Sequence, residues 1–219
     1  MEEINQIKTV ISLRILYPVW VLLGIFSIIY VPSTLIESGD AIATTNNISN
    51  NLLLFRMGIA GSLITQLLFI IIPLLLYRLL ETIDKNTAIL MVVLALMSVP
   101  ITMSNEINKL IIIKILDEPN RVFDSLAMYN QGMTISTIFW GLWLLPLGWL
   151  VYKSIFFPKF IGVFLFIGGF GYCVGSFTEI LNPEPNSFRS ILEYMTMGEL
   201  IFIIWFVFRG VKIKKTTKF

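Results

Sequence analysis

The sequence predicts an all-α fold, a six-transmembrane-helix bundle with both termini cytoplasmic and a short amphipathic helix in the first outer loop. Three observations predict it. First, 56% of the 219 residues are hydrophobic and only 14% are charged, against roughly 25% charged in an ordinary soluble domain. A 25.0 kDa globule with a mean hydropathy of +0.83 has no interior large enough to hide that apolar fraction from water. Second, the apolar residues lie in charge-free runs near the ~20 residues a helix needs to cross a bilayer core. Third, Lys and Arg alternate between dense and sparse from one connecting segment to the next. A soluble enzyme, a disordered chain, a coiled coil and a disulfide scaffold are excluded by the same features.

Taken in order, residues 15–36, 57–77, 87–105, 125–152 and 160–178 carry no charged side chain, and a sixth run over 190–208 contains Glu193 and Glu199. The runs are too long for strands and lack alternation of period two. With flanking residues added, the chain reads as a single integral membrane domain, 1–219, with spans at about 15–36, 53–77, 87–116, 121–152, 159–181 and 190–208. The first span is expected to stay in place as an anchor, because its flank carries Glu2 and Glu3 and no small-residue cleavage site follows. Between spans one and two, Asp40 precedes Ala41–Ile48 and is a good N-cap for a helix lying on the membrane surface. The third span is expected to continue through the apolar stretch 110–116. Asp117-Glu118-Pro119 then turns, and Asn120 caps the fourth. Pro100 and Pro146 are expected to kink their helices. Gly171 and Gly175 form a small-xxx-small pair suited to close packing inside the bundle.

Orientation follows from the basic residues. Lys8, Arg14, Arg78, Lys85, Lys153, Lys159, Arg209, Lys212, Lys214, Lys215 and Lys218 fall on one side, eleven in all; Arg56, Lys109, Lys114, Arg121 and Arg189, five, fall on the other. The richer side is cytoplasmic by the positive-inside rule.

The chemistry is bounded by two counts. There is no His and a single Cys, Cys173. The commonest metal ligand and general base is therefore missing, and no disulfide or thiolate cluster forms within the chain. No cofactor, no metal and no nucleic acid are expected; the partners are the lipid bilayer and a small-molecule or lipid-like ligand. Cys173, in an apolar Gly-rich run, reads as a packing residue.

Ionisable and polar groups within spans mark functional candidates. Glu199 lies roughly 13 Å into the last span at 1.5 Å per residue. Glu179 closes the fifth span and Arg56 opens the second. If spans three and four are antiparallel about a turn near 118.5, residues whose numbers sum to 237 are level. Glu106 is then level with Gln131, and Asn105, Asn108 and Asn130 are close by. The expected site is an outer-half polar pocket of Arg56, Asn105, Glu106, Asn130, Gln131, Glu179 and Glu199, with no catalytic residue assigned. The competing reading is that these groups only hydrogen-bond helix to helix. A lipid enzyme working through carboxylates alone ranks last. Trp140, Trp143 and Trp149 read as packing and interfacial anchors rather than as a ligand cage.

Several blocks resemble one bacterial family. They are Ser38-Gly-Asp-Ala-Ile-Ala-Thr-Thr-Asn-Asn-Ile48 followed by Leu54-Phe-Arg-Met-Gly-Ile59; Gly141-Leu-Trp-Leu-Leu-Pro-Leu-Gly-Trp-Leu-Val-Tyr-Lys-Ser154 running into Phe157-Pro-Lys-Phe-Ile-Gly-Val163; and Gly198-Glu-Leu200 leading to Trp205 and Arg209-Gly210. Together they are similar to the multi-pass membrane family known as domain of unknown function 4386. The resemblance covers nearly the whole chain and implies a bacterial inner-membrane protein without an assigned activity. The family's Arg and Glu positions match at Arg56 and Glu199. Members often carry Asp-Ser-Phe where this chain has Gly175-Ser-Phe177, and many carry His where it has Trp143.

Overall fold

The computed structural model describes residues 2–184 and 187–211, and among these all regular structure is helical. Six helices are long and apolar enough to cross a membrane: Gln6–Leu35, Leu52–Leu80, Lys85–Ile112, Pro119–Lys153, Lys159–Leu181 and Ser187–Arg209. The basic tail, with Lys212, Lys214, Lys215 and Lys218, lies outside the described residues.

The first span is not uniform. It consists of α1 (Glu2–Gly24), a π-helical segment (Ile25–Tyr30) and α2 (Val31–Leu35). The widened turn closes with Val31 N–H donating to Phe26 O, the wider i→i+5 spacing that defines a π turn. After a turn, α3 (Ala41–Asn50) begins at Asp40, whose carboxylate accepts from Ala43 N–H at 2.8 Å. Then follow α4 (Leu52–Leu80) and α5 (Lys85–Ile112), the latter capped by Asp84, which accepts from Thr87 N–H and Oγ1–H. The bundle continues with α6 (Pro119–Lys153) and α7 (Lys159–Leu181). The last span is α8 (Ser187–Thr196) and α9 (Gly198–Arg209), broken at Met197. Helices α5 and α6 are continuous through Pro100 and Pro146.

At the α5–α6 turn the boundaries differ from those read in the sequence. Helix α5 stops at Ile112, and residues 113–118 form turns closed by Lys114 N–H to Ile111 O and Glu118 N–H to Ile115 O. Helix α6 starts at Pro119, one residue before Asn120, so Asn120 does not cap it; Glu118 takes that place without a side-chain cap. Proline suits the first helical position, since it has no N–H to leave unsatisfied there.

Small residues set how closely the helices approach. On α6 and α7, a Cβ on Gly141 would meet Gly169 O and Cys173 Sγ at 2.6 Å, and one on Gly162 would meet Gly148 O at 2.7 Å. Gly141 with Gly169 and Gly148 with Gly162 fix one antiparallel register seven residues apart, so this pair packs backbone to backbone. Gly171 meets Met195 Cβ and Leu192 O of α8, so the small-residue face of α7 packs within the bundle. Gly58 and Gly61 of α4 admit Val31 and Ser27 of the first span. At the end where the chain begins and the described part closes, Arg14 Nε donates to Val207 O at 2.9 Å, joining α1 to α9.

The largest core cluster lies at this end and through the middle, around Tyr17, Phe69, Leu76, Leu79, Trp143, Leu147, Phe202 and Phe206. A smaller one, around Leu35, Ile48, Phe55, Ile112 and Val122, lies at the α3 end. The outward faces are apolar: Leu22, Leu53, Phe208 and Leu181 are 67%, 73%, 77% and 83% exposed. A soluble monomer does not present so much contiguous apolar surface.

Candidate functional site

Two cavities flank the π-helical segment, and Ile28 lines both.

The first lies toward the α3 end. Glu106 and Lys109 of α5 are 1% and 5% exposed. They are three residues apart, so they share a helix face, and Lys109 Nζ is 3.3 Å from Glu106 Oε1. The same oxygen accepts from Ser62 Oγ of α4 at 2.6 Å. Lys109 also sits over the Tyr129 ring of α6, 3.8 Å from its centroid. Asn105 Nδ2 donates to Tyr129 O at 2.8 Å and accepts at Oδ1 from Asn108 Nδ2 at 2.9 Å. Glu106 Oε2 is buried without a hydrogen-bond partner. Beside this cluster is a cavity of about 270 Å³. Its polar end is Lys109, Tyr129 and Asn130, and its other walls are apolar residues of the first span, α4 and α6. Ser27 Oγ, 1% exposed, lines it without a partner.

The second cavity, about 250 Å³, lies among α1, α4, α6, α7 and α9. Glu199 supplies its one carboxyl, Gln66 an amide, and Trp20, Phe69, Trp140, Trp143 and Tyr172 aromatic walls. Gln66 is 4% exposed, and its Oε1 has no hydrogen-bond partner; the Trp20 indole N–H has none either. Gly198 brings Glu199 here. A Cβ on that glycine would run into Phe164 O of α7, so only glycine lets α9 start this close.

The seven residues expected to share one pocket are therefore divided. Asn105 and Glu106 sit together, and Asn130 lies on the rim of the same cavity. The predicted register is the one observed: a Cβ on Gly132 would clash with the Asn105 amide, and these numbers sum to 237. Yet Gln131, level with Glu106, is exposed. A helix turns about 100° per residue, so with Gly132 in the seam its neighbour points away, and Glu106 meets Ser62 of α4 instead. Arg56 is exposed. Glu179 is bound to Arg189, 3.2 Å away, in a separate group. Glu199 belongs to the second cavity. Trp143, 2% exposed, and Trp140 line that cavity, whereas Trp149 is 41% exposed, with Lys153 Nζ 4.3 Å from its ring centroid.

Sequence reading passed over Lys109, Ser62, Tyr129, Gln66 and Trp20. Lys109 carries a local signal, an opposite charge three residues after Glu106. Gln66 carries another, an amide inside a charge-free run. Nothing local marks Trp20 or Tyr129, whose roles come from neighbours distant in the chain. Among the described residues no group of three or more His, Cys, Asp or Glu side chains is placed to hold a metal ion.

A family model described as "Domain of unknown function (DUF4386)" matches residues 15–210. An "Uncharacterized protein" of Archaeoglobus fulgidus is 32% identical over 95 residues, covering 43% of this chain and 56% of that relative. The match thus spans about half the relative's length, and it extends the likeness to an archaeon. No solved structure matches the chain.

Proposed function

The chain belongs to the DUF4386 family, and from that premise we propose that it is an integral membrane protein which binds an amphipathic, lipid-like ligand in the cavity beside Lys109. The protein sits in the cytoplasmic membrane with both termini inside, so this cavity lies in the outer half. The ligand's acceptor-bearing head meets Lys109, Tyr129 and Asn130, and its chain follows the apolar wall toward the exposed Ile28 and the lipid.

The observation that carries this reading is the Lys109 ammonium in the cavity wall. It is buried, and its hydrogen bond to Glu106 uses one of three N–H donors. A cation in a span is costly unless it is paired or lines a cavity; here both hold. The unpartnered hydroxyl of Ser27 adds a second polar contact. A volume near 270 Å³ suits a head and the first part of a chain, not a whole phospholipid.

The test is the lipid retained by the purified protein after exhaustive detergent exchange. Wild type should keep a bound lipid in stoichiometric amount, and Lys109→Met and Tyr129→Phe should lose or reduce it. Equal retention by folded variants overturns the reading. A second reading, a structural role with no ligand, is favoured by Ser62–Glu106, which ties α4 to α5 whether or not the cavity is filled.

A further inference from the structure

We propose that the cavity beside Glu199 is a binding site for a hydrophobic organic cation, an alkylammonium or quaternary ammonium compound entering from the bilayer. The inference does not depend on the Lys109 cavity.

Charge comes first. Carboxyls inside spans are almost always paired with a cation or a hydrogen-bond donor. Glu199 has neither a hydrogen bond nor an ion pair within the described chain, and no Lys or Arg lines the cavity. A bound cation supplies the missing countercharge. A second acceptor points the same way: Gln66 Oε1 is buried in the same wall with no donor.

The walls fit the same ligand. Trp20 and Phe69 stack at 5.5 Å, Trp143 stands edge-on to Phe69 at 5.2 Å, and Trp140 and Tyr172 meet edge-to-face at 6.2 Å. Five rings in several orientations surround a volume of about 250 Å³. Aromatic faces attract cations through the ring quadrupole, most strongly where water is absent, and tryptophan does so best. An anion would meet the carboxylate and those same faces unfavourably.

Access defines the remaining property. Ile25 and Ile29 of the π-helical segment and Leu200 of α9 line the cavity and are 48%, 60% and 41% exposed on the outward face. The opening is thus framed by lipid-facing side chains, and a ligand that passes it partitions into the membrane first.

The experiment uses the full chain in detergent micelles and reads tryptophan fluorescence, since Trp20, Trp140 and Trp143 line the site. The probe is benzyltrimethylammonium, and the control is its uncharged carbon isostere, neopentylbenzene. The cation should bind saturably and the isostere at least tenfold more weakly. Glu199→Gln should weaken the cation at least tenfold and leave the isostere unchanged, and Gln66→Leu should weaken the cation severalfold. Equal binding of the two probes to wild type, or unchanged cation affinity in folded Glu199→Gln, overturns the proposal. Should Glu199→Gln not fold, Glu199→Asp decides: it should keep the preference for the cation, and a folded variant without that preference overturns the proposal. Lys109→Met should bind the cation as wild type does, which separates this site from the lipid cavity.

Discussion

Ser62 Oγ of α4 donates to Glu106 Oε1 of α5 at 2.6 Å, and the same oxygen takes the ammonium of Lys109 at 3.3 Å. One carboxylate oxygen thus holds a neighbouring helix and a buried cation together. The pair is costly to bury and costlier to break, because removing one partner strands the other's charge.

Removing Glu106 alone should therefore be worse than removing both charges. Glu106→Leu is expected to destabilise by about 3–5 kcal/mol, and Glu106→Leu with Lys109→Leu to recover most of that. Ser62→Ala should cost about 1.5–3 kcal/mol, the loss of a hydrogen bond to a charged group. Thermal unfolding of the purified protein in one detergent checks all three. A double variant no more stable than the single one would count against the pairing.

The glycines should divide sharply. A Cβ at Gly24 meets nothing within 4 Å, so Gly24→Ala is expected to gain up to about 1 kcal/mol from helix propensity. Gly141→Ala and Gly162→Ala force backbone apart and should lose about 1–3 kcal/mol. Melting temperatures of the three variants, which should move in opposite directions, are the measurement.

At the α4–α5 turn, the Thr87 N–H and then its hydroxyl hold the Asp84 carboxyl below its ordinary range. A depressed folded-state value means that the cap stabilises fully above the unfolded value, about 4. The contribution fades as pH falls through the folded value. Asp84→Asn keeps a capping acceptor but does not titrate. Its unfolding curves should lose less stability than wild type below about pH 4; superimposable pH profiles would contradict the cap.

The proposed orientation is checked on whole cells. On a Cys173→Ala background, an impermeant maleimide should label Asp40→Cys and Asp117→Cys but reach Asp84→Cys and Lys153→Cys only after lysis. The reverse pattern would invert the bundle and place the Lys109 cavity in the inner half.

The number of candidate spans is legible in the sequence because the membrane requirement is local: a segment must be long and apolar, and must satisfy its own backbone hydrogen bonds. The α5–α6 register was legible too, since a short turn fixes which residues are level. What faces what is another matter. Gln131 is level with Glu106 and turned away from it, because Gly132 alone fits against Asn105 and sets the rotation of α6. Glu199 stands out in the sequence as a charge within a span, but its company of Trp20, Gln66, Trp140 and Tyr172 comes from four other helices. Only tertiary packing decided that grouping. Helix rotation is settled by close contacts between side chains far apart in the chain, and apolar composition, which is nearly the same all round α4 to α7, says little about it.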